Sequence, residues 1–325
     1  MISTLQLCCL AIIVSNLLVS VQSSNPFRVL VQQSGSGNHS QASSENTDIA
    51  AMRAQPAEKK MLKGISLIAQ HKIINLEAGL THPSDLALST DHKSLWTVSD
   101  KTKAIFKLNL KGELQFSESF FVDAYDLEGV TINSSGDTLY TTNEDNNEVI
   151  AIDIKTRKIT KKRPLSAMKG FDSIRKFFPE IPDNKGLEGI TFKTGSDRIY
   201  VIKESQPGLL IELDTDLETI QHARLLNQSN GFTEPDTPQK KLDFSGLSYD
   251  PSSDLFWIIS DKGRCIFIYD WNKDLVIQTF KLSYKEGTKN KTIRKAEGVA
   301  IDRIGRRLYV VSEKDAVLYI FELLH

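Results

Sequence analysis

Five times in this chain a serine or glutamate stands sixteen residues ahead of an acid: Ser84/Asp100, Glu128/Glu144, Glu188/Glu204, Ser245/Asp261 and Glu297/Glu313. Each first member opens a short apolar stretch, as in Leu127-Glu128-Gly129-Val130, Leu187-Glu188-Gly189-Ile190, Phe244-Ser245-Gly246-Leu247 and Ala296-Glu297-Gly298-Val299, with Pro83-Ser84-Asp85-Leu86 as a weaker first copy. Each acid closes a β-branched and aromatic run, such as Leu139-Tyr140-Thr141-Thr142-Asn143-Glu144. The copies recur every 44 to 60 residues. A fixed internal spacing inside a unit that repeats at this interval marks a repeat architecture, in which each unit buries its apolar face against its neighbours.

Within a unit the apolar residues alternate with a period of two, and turn residues (Ser134-Ser135-Gly136-Asp137, Thr194-Gly195-Ser196-Asp197, Pro251-Ser252-Ser253-Asp254) separate the two runs. That pattern reads as a hairpin of two short strands. A third strand begins about five residues past each closing acid, at 105–108, 149–152, 209–213, 266–269 and 318–321. A fourth follows in the first four units, for example at 113–116, 219–224 and 275–280. The last unit ends at His325 without one, while a spare strand at 65–69 precedes the first unit. Pairing that spare strand with the last unit closes a ring and leaves no solenoid end to cap. The expected fold is all-β, a five-bladed β-propeller of four-stranded blades closed by the N-terminal strand.

The rest of the chain fits that frame. Residues 5–21 are apolar and read as a secretory signal peptide or a membrane anchor, assigned to residues 1–23. Residues 24–60 are rich in Ser, Gln, Asn, Gly and Ala, and they read as a disordered linker with too little apolar surface to offset the entropy of ordering. The propeller domain then spans 61–325. Basic and acidic residues number 40 and 41, so no bulk electrostatic case for nucleic acid exists. Of three cysteines, Cys8 and Cys9 lie in the apolar run and Cys265 is alone, which leaves no staple within the domain. The second-strand aromatics Trp96, Tyr140, Tyr200, Trp257 and Tyr309 are expected to pack between blades rather than stack on a ligand.

Propeller geometry brings the first member and the closing acid of every unit to one face. A simple hairpin register, centred for the second unit on Gly136, pairs Glu128 with Glu144, Glu188 with Glu204 and Glu297 with Glu313. Eight carboxylates then ring one mouth, and like charges opposed across strands are destabilising. Three resolutions stand open: a hard cation such as Ca²⁺, which takes six to eight oxygens; neighbouring lysines (Lys101, Lys203, Lys262, Lys314); or backbone amides of the next blade. For Glu128, Glu188 and Glu297, which converge on the axis, cation binding is the favoured reading. For Glu144, Glu204, Glu313, Asp100 and Asp261 a structural use is favoured, with partial ligation as their share in any site. No histidine has metal-ligand spacing. His82 is the sole one near this mouth, and a turn role before Pro83 suits it better than that of a base. The long connections at about 161–185, 225–243 and 282–295 decorate the same face, as functional loops on a rigid scaffold do.

With the Glu-Gly-Val/Ile repeats and strand-ending acids laid out, the chain resembles the SdiA-regulated (YjiK/CarP-like) family of bacterial proteins over about 64–325. The resemblance implies a five-bladed propeller distantly similar to NHL-repeat proteins, with a calcium site and an N-terminal membrane-associated segment. It also implies a part in calcium homeostasis for some members. It singles out Glu128, Glu188 and Glu297; Ser84 and Ser245 depart from that residue type. The expectation is an exported, periplasmic or membrane-anchored calcium-binding module with a protein or small-molecule ligand at the loop-decorated face. The alternative is a calcium-dependent hydrolase in which the metal polarises an oxygen and activates water.

Overall fold

The computed structural model describes residues 61–180 and 184–325. The segments assigned to a signal or anchor and to a linker lie outside the described residues. Twenty strands form five antiparallel four-stranded sheets, and two more form a separate hairpin. From the inner strand outward, blade one is Ala87–Leu88, Ser94–Val98, Ala104–Asn109 and Phe120–Phe121. Blade two is Leu127–Ile132, Thr138–Asn143, Glu148–Asp153 and Lys158–Pro164. Blade three is Leu187–Lys193, Arg198–Lys203, Gly208–Asp214 and Ile220–Leu226. Blade four is Leu247–Asp250, Leu255–Ser260, Cys265–Asp270 and Leu275–Lys281.

Blade five is built from both ends of the domain. Ala296–Asp302, Arg307–Ser312 and Val317–Leu324 supply its first three strands, and Gly64–Lys72 lies outside them as the fourth. The closure runs from Gly64 opposite Leu324 to Lys72 opposite Val317, with a bulge at Ile68. The ring closure read from the sequence therefore holds, with pairing that continues past Ala69 to Lys72.

The alternation seen in the sequence becomes five apolar clusters, one at each junction between blades. All five second-strand aromatics are buried there. Tyr140 stacks on Phe192 of the next blade with centroids 6.3 Å apart, and Tyr200 meets Phe256 at 4.6 Å. Burying a side chain of this size contributes roughly 1.5–3 kcal/mol, so these junctions hold the ring together without disulfides; Cys265 is buried and free.

Two strand assignments need correction. The fourth strand of blade one is Phe120–Phe121, not 113–116. Residues 113–115 instead fold back on the end of the third strand: Asn109 N donates to Glu113 O and Gln115 N to Lys107 O, so the chain turns before the outer strand begins. The A–B register also differs from a simple hairpin. In blade two Leu127 pairs with Asn143 but Val130 with Thr141, so Glu128 and Gly129 occupy a bulge; blades three and five bulge at the same place. A bulge bends the strand and re-aims its side chains. The connection at 282–295 contains the hairpin Ser283–Glu286/Lys289–Thr292, and that at 161–185 contains three short 3₁₀ turns. Among the described residues no helix is long and apolar enough to cross a membrane.

Candidate metal centre

The bulge brings the inner strands very close around the axis. A Cβ on Gly129 would lie 2.4 Å from Glu188 O of the next blade, so only glycine can follow the glutamate there. Hydroxyls bind the approach. Thr142 Oγ1 accepts from Gly129 N at 2.7 Å and donates to Glu188 O at 2.5 Å. Thr131 Oγ1 accepts from Phe192 N at 3.0 Å, Thr191 Oγ1 from Tyr249 N at 2.9 Å, and Ser245 Oγ donates to Ala296 O at 2.9 Å. The inter-blade amides of Phe192 and Tyr249 thus go to threonines, and Ser245 has a backbone role.

With that offset, an inner-strand glutamate meets the acid of the preceding blade as well as its own. Glu128 is pushed well above the usual carboxylate range by burial, then by Asp100 of blade one, Asp126 and Glu144. Burial and the nearby charges of Glu128, Glu297, Glu144 and Glu204 push Glu188 well up too. Glu144 is raised to about 7, chiefly by burial, against the hydrogen bond its Oε1 accepts from Gly186 N at 3.1 Å. Glu297 is raised to about 8 by burial, with Lys295 opposing and Asp261 and Glu313 adding to the rise.

The eight acids do not form an even ring. Lys295 Nζ lies 3.1 Å from Glu297 and 3.2 Å from Glu313, so blade five carries its own cation. Lys262 reaches Glu204 at 3.3 Å and Asp243 at 3.2 Å, and Lys101 pairs with Asp100. Lys203 is buried and donates to Ser205 O, and its ammonium lies 5.6 Å from the Phe178 ring. Among the described residues one acid group has its oxygens gathered for a metal: Glu144, Glu188 and Glu204, each half-buried, offer ligand atoms all within 4.8 Å of one another. The structure therefore brings Glu188 together with Glu144 and Glu204 across blades two and three. Glu128 feels the charges of Asp100, Asp126 and Glu144 and acts in turn on Glu188, while Glu297 and Glu313 share Lys295.

The residue two places before each repeat serine or glutamate decides this asymmetry: His82, Asp126, Gly186, Asp243 and Lys295. A Cβ on Gly186 would meet Glu144 O at 2.6 Å and Glu144 Cγ at 2.9 Å, so its absence lets Glu144 lean toward Glu188. Asp126 and Asp243 each accept the amide of the residue after the second-strand acid, at 2.9 Å from Asp145 N and 3.0 Å from Lys262 N. Neither Lys295 nor Asp126 was singled out from the sequence, although this variable position was readable once the repeats were aligned. His82 Nδ1 lies 2.9 Å from Thr81 Oγ1, a local turn contact.

Asp85 was also missed. It stands where the other blades carry Gly129, Gly189, Gly246 and Gly298, and it is fully buried. Its Oδ2 accepts Val130 N at 3.0 Å while Oδ1 has no partner. Burial drives its pKa well above the usual value, against the amides of Val130, Leu86, Val299 and Ile190.

Among solved structures, the chain is similar to Myxococcus xanthus glutaminyl cyclase, at 9% identity and a TM-score of 0.53, over 80% of this chain and 97% of that one. It is also similar to the β-propeller domain of Myceliophteria thermophila Cps50 (Swd1), at 12% identity and a TM-score of 0.42 over 75% and 65%. A hydrazine synthase of Kuenenia stuttgartiensis matches at 14% identity and a TM-score of 0.42, over 71% of this chain and 56% of that one. At these identities the likeness concerns the fold alone, and the chain spans about two thirds or less of the last two proteins. The sequence profile of the SdiA-regulated family matches residues 64–322, which is nearly the whole propeller, and the chain is a member of that family.

Proposed function

We propose that the protein is a calcium-binding propeller that works as a binding or sensing module, with Ca²⁺ held by Glu144, Glu188 and Glu204 at the acid-lined mouth. The observation that carries this is the convergence of those three carboxylates within 4.8 Å. Lys262 pairs with Glu204 and is shared with Asp243. The donor set is all oxygen, which suits a hard cation. Ca²⁺ takes six to eight oxygens in flexible geometry, whereas Mg²⁺ demands a near-ideal octahedron, so carboxylates contributed by two blades suit the larger ion better. Glu128 lies close enough to act on Glu188 electrostatically and is the next carboxylate available. The apolar run at 5–21 supports export, with the propeller outside the cytoplasm, where calcium is abundant.

The test is calcium titration of the protein by calorimetry, beside thermal melts with and without the ion. An ion that binds only the folded state raises stability by about 2.7 kcal/mol at a hundredfold excess over Kd. Glu188→Gln should abolish most of that gain and leave the calcium-free protein as stable or more so, because one repulsion is relieved. Ser245→Ala should leave calcium binding intact. Calcium-independent melting, with Glu188→Gln destabilising the free protein, would overturn the reading.

A further inference from the structure

A cleft of about 960 Å³ opens between blades four and five beside the acid-lined mouth. Its walls include the Ser283–Glu286/Lys289–Thr292 hairpin, the Gln239–Lys241 turn and the turns that follow the second strands of both blades. Seven Lys or Arg residues line it against three Asp. Four of the seven are already held: Lys262 by Glu204 and Asp243, Lys295 by Glu297 and Glu313, Arg294 by Asp315, and Lys291 by Glu286. The other three, Lys241, Arg264 and Lys314, are exposed and have no carboxylate within ion-pair distance among the described residues. They come from a loop and from the equivalent turns of two blades, so the ring geometry, not a local charge run, gathers them.

We propose that this cleft binds a small polyanion of the phosphate-ester class. Three unpaired cations facing one concavity repel each other, and an anion with several charges relieves that. The Arg264 guanidinium matches phosphate oxygens in a two-point fork, and lysines serve phosphates as point charges. The volume lies in the range of small-molecule sites, roughly 300–1,000 Å³, and a concave wall suits a compact ligand better than a protein face. Half-buried Tyr284, tilted against Tyr319 with centroids 5.7 Å apart, gives the non-phosphate part of such an ester an aromatic surface. None of Glu144, Glu188 and Glu204 lines the cleft, and the one contact between the two sites is Lys262, which lines the cleft and pairs with Glu204.

The experiment is calorimetric titration of the whole protein with pyrophosphate in metal-free buffer at two salt concentrations. Saturable binding at one site, weakening as salt rises, is expected. Arg264→Gln/Lys314→Gln should weaken it by about tenfold or more with melting unchanged, since neither side chain holds a partner in the fold. Lys155→Gln, on the opposite turn of blade two, should change nothing, and Glu188→Gln should leave pyrophosphate binding intact even if it removes calcium binding. An absence of saturable binding, or equal affinity in the double variant, would overturn the proposal, the latter by showing diffuse charge rather than a site.

Discussion

Asp85 Oδ2 accepts the amide of Val130, 3.0 Å away in the next blade, and so puts a carboxylate where every other blade puts the hydrogen of a glycine. Blade one thus stitches to blade two with an acid, whereas the next two junctions use the threonines Thr131 and Thr191. The acid sits at the axis, fully buried, with one oxygen unpartnered.

The cost of ionising Asp85 sets its pH signature. Its folded pKa is raised, so the native state holds a proton that the unfolded chain releases above its ordinary value. Its contribution is fully present at low pH and is lost as pH rises toward the folded pKa. Glu144, raised to about 7, and Glu297, raised to about 8, act with the same sign. The calcium-free protein should therefore be more stable at pH 5 than at pH 8. Asp85→Asn keeps an acceptor for Val130 N and cannot ionise, so it should gain more stability at pH 8 than at pH 5. Urea midpoints at the two pH values decide this; an equal loss at both would make the carboxylate a plain structural acceptor.

Thr142 ties the metal centre to the blade junction. Replacement by valine keeps the shape but strands Gly129 N and Glu188 O, both pressed together where no Cβ fits. Each buried group left without a partner costs about 1–3 kcal/mol. Thr142→Val should lower the urea midpoint accordingly and also weaken calcium binding, because the Glu188 backbone loses its anchor. A stability loss with unchanged calcium affinity would separate the junction from the site.

The ring was legible because its evidence is periodic. Sixteen-residue pairs, five aromatics and a missing outer strand each specify blade structure directly, and Gly64–Lys72 takes the place the missing strand left. Which acids share a site was not legible in the same way. The spacing within a blade relates Glu188 to Glu204, but Glu144 arrives from the neighbouring blade through a bulge that no hydrophobic pattern marks. The charge balance was hidden for another reason. Lys295 and Gly186 occupy the same repeat position with opposite consequences, one supplying a cation and the other removing an obstacle. The repeat spacing aligns the position, but what each residue does there depends on contacts that only the fold supplies.

Ring closure predicts its own failure. Beyond the strand pairing, Leu62 and Ile73 are buried at its two ends, and Gln278 Nε2 donates to Leu62 O at 2.6 Å. A chain beginning at Leu80 would expose the edge of Val317–Leu324 and open the junctions on both sides of blade five. The loss should be comparable with the stability of a whole domain, roughly 5 kcal/mol or more, so cooperative melting followed by circular dichroism should disappear. Melting like that of the full chain would show that the strand merely decorates the ring.

Lys295 offers the sharpest check on how the mouth manages its charge. Burial alone would lower its pKa, but Glu297 and Glu313 raise it above the ordinary lysine value, so the ammonium stays charged across the neutral range. It acts as a built-in counter-ion for blade five, the role proposed for calcium at blades two and three. Lys295→Met removes that charge while keeping much of the stem. Glu297, only 8% exposed, is then left facing Asp261 and Glu313 without compensation. Breaking a buried pair on one side costs about 3–5 kcal/mol, and the half-exposed lysine brings the expected loss down to ~1–3 kcal/mol. Two further results follow if charge is the cause. Glu297→Gln added to Lys295→Met should restore most of the calcium-free stability, and calcium should stabilise the single variant more than it stabilises the parent. A loss that neither the second substitution nor calcium repairs would mean that Lys295 contributes packing of its stem rather than charge.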